Sequence, residues 1–107
     1  MCIRDRANAP ITIEGDRILE EKGVLVVPDI LANAGGVTVS YFEWVQDLQS
    51  FFWEEDEINN RLERVMFRSF DAVMDTARRD KIDMRRASYL LAVERIANAI
   101  STRGLYP

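Results

Sequence analysis

The sequence predicts an α/β chain that is mostly helical, and three observations carry that expectation. The run Val24–Val27 is apolar without alternation, as in strands buried on both faces of a parallel sheet. A helix signal ending at Gly23 leads into it, so the two make half of a βαβ repeat. Beyond it, apolar residues recur at helical spacing through about residue 101. The chain has 107 residues, which suits one small domain.

Taken in order, residues 1–6 (MCIRDR) are followed by no apolar stretch and do not read as a secretory signal. They read as a leader foreign to the protein, which leaves 7–107 as the structural unit. Pro10 biases Ala9 away from the right-handed helical region, so Ala7–Pro10 reads as extended or turn-like. Thr12 can cap a helix over 12–22, and Gly23 can end it in a left-handed conformation. The strand covers about 24–27 and stops at Pro28, and 29–35 reads as a loop. A helix over 36–52 presents Val37, Tyr41, Trp44, Val45, Leu48, Phe51 and Phe52 on one face. A second, over 54–79, opens on Glu54–Glu57 and closes on Arg78 and Arg79, matching charge to both helix ends. Its apolar face runs from Ile58 through Leu62, Val65, Met66, Phe70 and Val73 to Ala77. Asp83 can cap a third over 83–101, which is apolar on more than one side and so expected to be buried in something larger than a small bundle could provide. The strand has no visible partner in the chain, and unpaired backbone groups are costly to bury. Its neighbours are therefore expected in an amino-terminal portion outside the chain.

Composition excludes several classes of function. The hydrophobic fraction is 48%, enough for a core, and the formal net charge is −4. An acidic chain gives no electrostatic support to nucleic-acid binding. With no histidine and one cysteine, neither a His/Cys zinc site nor an internal disulfide can form, and no metal is expected. The acids at 54–57 read as a solvated first turn. No apolar run approaches the roughly 20 residues that span a bilayer, so no membrane partner is expected. The sparse cysteine fits a reducing compartment, and the expected location is cytoplasmic.

The chemistry-bearing residues cluster just past the strand. Pro28-Asp29-Ile30-Leu31-Ala32-Asn33-Ala34-Gly35-Gly36 lies at the carboxyl end of a buried strand and leads into a helix, the edge where open α/β sheets bind ligands. Gly35 and Gly36 would let backbone approach a ligand, and Asn33 offers both a donor and an acceptor. Ser40 lies one turn into the helix and could donate to a carboxylate. Each also has a plain structural reading. Asn-x-Gly-Gly is a frequent turn, Ser40 can be a packing or surface serine, and Asn8 can be a turn residue. Trp44, Phe51, Phe52 and Trp53 read as core rather than as a stacking platform. Lys22 and Lys81 sit at predicted helix ends, poorly placed to act as desolvated amines.

Ala7-Asn8-Ala9-Pro10, Val26-Val27-Pro28-Asp29, the block Asn33–Trp44 and the closing Ala92-Val93-Glu94-Arg95 through Arg103-Gly104 occur together and in this order. In this the chain after residue 6 resembles the carboxy-terminal third of the glutamate/leucine/phenylalanine/valine dehydrogenase superfamily. Ile11 and Ile13 depart from the threonine and proline usual there. The resemblance implies the carboxy-terminal part of a Rossmann-like nucleotide-binding domain plus closing helices. It also implies NAD or NADP as cofactor, with Asn8, Asn33, Gly35 and Gly36 at the cofactor and Asn33 beside the nicotinamide. Ser40 is implied to bind the side-chain carboxylate of glutamate, making glutamate, 2-oxoglutarate and ammonia the small-molecule partners. Branched-chain dehydrogenases carry an apolar residue at that position, so Ser40 favours the glutamate branch over them. The passage 49–54 is too short for the antenna insertion of animal members. A homo-oligomer, commonly a hexamer, is the implied assembly.

The family's catalytic lysines and aspartate and its phosphate-binding turn come earlier in the full protein, and no G-x-G-x-x-G is present here. No catalytic residue is therefore assigned to this piece, which is expected to be inactive alone and to leave the NAD/NADP choice open. The alternatives are a branched-chain amino-acid dehydrogenase fragment and a non-enzymatic helical interaction module. The module explains neither the strand nor the Asn33–Ser40 block.

Overall fold

The computed structural model describes residues 1–104. Two short parallel strands, β1 (Cys2–Arg4) and β2 (Leu25–Val27), pair in the register Cys2↔Leu25, Ile3↔Val26 and Arg4↔Val27. They are joined through helix α1 (Ile13–Glu21), which completes a βαβ unit. A single-turn helix α2 (Asp29–Ala32) leads into α3 (Ala34–Gln49), and the long helices α4 (Glu55–Asp80) and α5 (Met84–Arg103) complete the described residues.

Local chemistry accounts for most boundaries. Thr12 Oγ1 accepts from Gly15 N–H at 3.1 Å and Asp83 Oδ1 from Arg86 N–H at 3.0 Å, so both predicted caps form. Gly23 takes φ +64°, the left-handed exit expected after α1. Lys81 closes α4 at φ +55°. Phe42 and Gln46 are the buried side chains of α3. The Gln46 amide donates to Phe42 O at 3.1 Å and accepts from Trp53 N–H at 2.7 Å, tying down the link to α4. Trp53 meets Phe42 edge-on at 5.7 Å and lies under the Arg61 guanidinium at 4.2 Å. The core joins Val27 and Leu31 to Val73, Ala77, Met84 and Ala87, so α4 and the first turns of α5 pack against the end of β2.

Four expectations are corrected. Residues 1–6 do not stand outside the fold, because Cys2–Arg4 supplies β1 and gives β2 a partner within the chain. A three-residue strand with alternating polar residues is too short to register as one by pattern. Residues 29–35 are not a loop: α2 fills 29–32 and α3 starts at Ala34, so Gly35 and Gly36 lie inside its first turn at ordinary helical φ. The helix ends at Gln49, not 52, because Ser50 turns left-handed at φ +49°. Phe51 and Phe52 thus leave the helix and stand 65% and 71% exposed. Finally, Trp44 is exposed rather than core, and Val37, Tyr41 and Leu48 on the same face of α3 are exposed with it; on α5, Val93, Ile96 and Ile100 are exposed among the described residues. The radius of gyration, 16.4 Å, exceeds the roughly 13 Å of a compact domain of about 100 residues.

Candidate functional site

Because β1 and β2 are parallel, their carboxyl ends share one edge, and the segments leaving them converge there. Asp5 N–H extends the pairing by donating to Val27 O at 3.1 Å. Beyond it the Asn33 side-chain amide donates to Asn8 Oδ1 at 2.7 Å and to Arg6 O at 3.3 Å. Asn33 is the N-cap of α3, yet its side chain makes no capping bond. It reaches across to the other strand's exit instead. Asn8 and Asn33, 25 residues apart, therefore form one amide pair at the strand edge. Among the described residues, the Asn8 amide nitrogen and the Asn33 carbonyl oxygen are left without a partner. The pair retains a donor and an acceptor, the complement of a carboxamide or a ribose hydroxyl.

The turn carrying Asn8 is held in an uncommon shape. Ala9 has φ +47°, a left-handed conformation costing about 1–2 kcal/mol for a residue with a Cβ, and it precedes Pro10. Its N–H donates to Asp29 Oδ2 at 2.8 Å, which offsets that cost. The other Asp29 oxygen accepts from Arg85 Nη1 at 2.7 Å. Arg85 also donates from Nε to Asp16 at 2.5 Å and from Nη2 to Asp5 at 3.1 Å. One guanidinium thus joins the end of β1, α1, α2 and the first turn of α5. The backbone hydrogen bond from Ala9 is the chief cause holding the Asp29 carboxyl below its usual range; burial opposes it, and Arg85 adds to the lowering.

The remaining predicted residues lie on α3. A Cβ on Gly35 would meet Leu62 and Met66 at ordinary contact distance, 3.8 and 3.9 Å, so Gly35 faces α4. A Cβ on Gly36 would meet nothing within 4 Å. Ser40 is exposed, and its hydroxyl donates to Gly36 O at 3.2 Å. Asn33 and Ser40 are seven residues apart, two turns along one side of the helix. Sequence reading named Ala9 and Asp29 within their motifs but gave neither a role, and it missed Arg85. The Arg85–Asp29 contact spans 56 residues, and no local pattern marks such a pair. Among the described residues there is no group of acidic or cysteine side chains placed to hold a metal ion. No described helix is long and apolar enough to cross a membrane.

Residues 1–104 match the sequence profile of the Glutamate/Leucine/Phenylalanine/Valine dehydrogenases. A glutamate dehydrogenase of Thermotoga maritima is 59% identical over 101 residues, covering 94% of this chain and 24% of that protein. The cryptic catabolic NAD-specific glutamate dehydrogenase of Bacillus subtilis is 49% identical over 100 residues, covering 94% and 23%. Among solved structures, the glutamate dehydrogenase of Peptoniphilus asaccharolyticus matches with a TM-score of 0.92 at 39% identity, over 98% of this chain and 27% of that one. The hetero-hexameric glutamate dehydrogenase of Thermus thermophilus in its leucine-bound form matches with 0.89 at 44%, over 94% and 24%. The chain spans about a quarter of the length of the curated relatives it matches.

Proposed function

The chain belongs to the Glutamate/Leucine/Phenylalanine/Valine dehydrogenase family, and from that premise we propose that it is the carboxy-terminal segment of an NAD(P)-dependent glutamate dehydrogenase. In this reading the βαβ unit is the last part of a Rossmann-like nucleotide-binding domain. The reaction is the reversible oxidative deamination of L-glutamate to 2-oxoglutarate and ammonia. The segment supplies one wall of the site, and the catalytic lysines, aspartate and phosphate-binding turn lie in the missing amino-terminal portion. Assembly is as a homo-oligomer, a hexamer by family resemblance, and the hetero-hexameric Thermus thermophilus relative is in keeping with a six-subunit assembly.

The observation that carries the reading is the Asn8–Asn33 amide pair at the carboxyl edge of the two parallel strands. A bound nicotinamide would supply the hydride-transfer chemistry at the substrate Cα. The residues of this segment bind and orient. Asn8 and Asn33 present their free donor and acceptor to the cofactor, Gly36 leaves room for close approach, and Ser40 turns its hydroxyl from Gly36 O to the glutamate side-chain carboxylate. Orientation of this kind acts mainly on the hydride step.

The test is Asn33→Ala in a full-length enzyme carrying this segment. Loss of a donor and an acceptor at a partly desolvated site costs about 1–3 kcal/mol. The specificity constant for glutamate should then fall, and turnover with it, by roughly five- to a hundredfold. Unchanged steady-state constants would leave Asn33 only its structural tie to Asn8.

A further inference from the structure

We propose that Arg85 is a positioning residue for the amide pair: it orients Asp29, Asp29 holds the Ala9 N–H, and the Ala9 turn sets Asn8 against Asn33. The inference rests on the dehydrogenase reading above, in which those amides face the cofactor. Every link is a short polar contact: Arg85 Nη1 to Asp29 Oδ1 at 2.7 Å, Ala9 N to Asp29 Oδ2 at 2.8 Å, Asn33 Nδ2 to Asn8 Oδ1 at 2.7 Å. The turn needs an anchor because Ala9 sits at φ +47° immediately before a proline. Asp29 alone would not hold one orientation, since a carboxylate with one free oxygen can turn about its side-chain bonds. The guanidinium fixes it from the far side.

The arrangement also requires arginine. Three nitrogens of one rigid plane each reach a different carboxylate, Asp16 from Nε, Asp29 from Nη1 and Asp5 from Nη2. A lysine keeps the charge but cannot hold three partners in that fork. Among the three acids, Asp29 is the one whose second oxygen continues to the site; Asp16 and Asp5 serve docking of α1 and β1. The Arg85 side chain is only 19% exposed, and all three of its donor nitrogens are taken up by carboxylates. A purely structural Arg85 would weaken the fold and leave the hydride step of the surviving enzyme untouched.

The test uses a full-length enzyme carrying this segment, with turnover, thermal midpoint and the primary deuterium isotope effect from 2-deuterated glutamate measured for each variant. Arg85→Lys should lower kcat about tenfold and raise the isotope effect on kcat, because misplaced reactants slow hydride transfer specifically. Asp16→Asn cuts an arm that does not lead to Ala9; it should lower the thermal midpoint and leave the isotope effect unchanged. In an Asn33→Ala background, Arg85→Lys should cost less than about a further twofold, since both act through the same amide pair. Where Arg85→Lys does not fold, Asp29→Asn carries the same comparison, as it keeps an acceptor for the Ala9 N–H and weakens the tie to Arg85. The proposal is overturned if the thermal midpoint falls with no change in isotope effect, or if the Arg85 and Asn33 losses multiply. If Asn33→Ala alone leaves kcat and isotope effect at wild-type values, the cofactor-wall reading is what has failed.

Discussion

Ser40→Val separates a substrate-binding serine from a structural one, and the structure sharpens the contrast. The side chain is exposed on α3 and its hydroxyl makes one local bond, to Gly36 O at 3.2 Å. Such back-bonding to the preceding turn contributes little to a helix. Valine there leaves no buried polar group stranded and creates no cavity, so the change in fold stability should lie within about 0.5 kcal/mol. A hydrogen bond from the hydroxyl to a charged carboxylate contributes roughly 1.5–3 kcal/mol. The specificity constant for glutamate should therefore fall by about one to two orders of magnitude, at 1.36 kcal/mol per tenfold. For norvaline, which never uses the donor, it should fall much less or rise slightly. The variant need not become an apolar-substrate enzyme, because a glutamate site would also hold a cationic group for the carboxylate, and such a group would still disfavour apolar side chains. The assay is the ratio of kcat/KM for glutamate and norvaline in wild type and variant, with the thermal midpoint as control. An unchanged ratio would refute the role given to Ser40 and remove the main ground in this chain for preferring glutamate to branched-chain substrates.

Further outcomes follow from the same structure. The isolated 107-residue chain should show no glutamate-dependent reduction of NAD or NADP in a spectrophotometric assay, and its exposed Val37, Trp44, Leu48 and Phe52 should bind a hydrophobic dye and promote self-association; a monodisperse monomer with a sharp two-state transition would contradict this. Gly36→Ala should stabilise α3 by roughly 0.5–1 kcal/mol in thermal denaturation, since the added Cβ meets nothing, yet lower turnover in the full-length enzyme if backbone approach to the cofactor matters. The folded pKa of Asp29 is depressed, so its stabilising contribution is present above its ordinary value of 3.8 and is lost as pH falls toward the lowered folded value. Acid titration of stability should accordingly be shallower in Asp29→Asn than in wild type over that interval.

Much of the fold was legible where one residue type does one local job. Thr12 and Asp83 cap, Gly23 exits left-handed, and Arg78 and Arg79 close a helix that Glu55, Asp56 and Glu57 open. Asn8 and Asn33 were both legible as polar residues in turn-like settings, and the strand-to-helix context placed Asn33 at the carboxyl edge of the strand. What pattern could not supply was long-range partnership. Nothing near Arg85 distinguishes it from its neighbour Arg86, yet one gathers three carboxylates while the other is mostly solvated. Periodicity likewise identified the apolar stripe of α3 but not what lies against it. A helical period reports which residues share a face, and burial of that face depends on what else is present.

That stripe bears on the site itself. At about 100° per residue, Asn33, Gly36, Val37, Ser40, Tyr41, Trp44 and Leu48 fall within about 140° of arc on one face. Within this chain most of that face is uncovered, while Phe42 and Gln46 on another side are buried. The polar residues proposed to meet cofactor and substrate therefore occupy the amino-terminal end of the same surface whose carboxy-terminal end is apolar. An exposed apolar stripe of this length is unfavourable in water, at roughly 25 cal/mol per Å². In the full-length reading, whatever covers Tyr41 and Trp44 would also stand near Ser40, which is one residue and one helical turn from them on the same face. Closing the apolar end lowers the local dielectric at the polar end, and hydrogen bonds there gain strength as water leaves. In that reading, docking of the helix and exclusion of water from the polar end would arise from one contact. It follows that Leu48→Glu, two helical turns from Ser40, should reduce turnover in the full-length enzyme although it touches neither reactant.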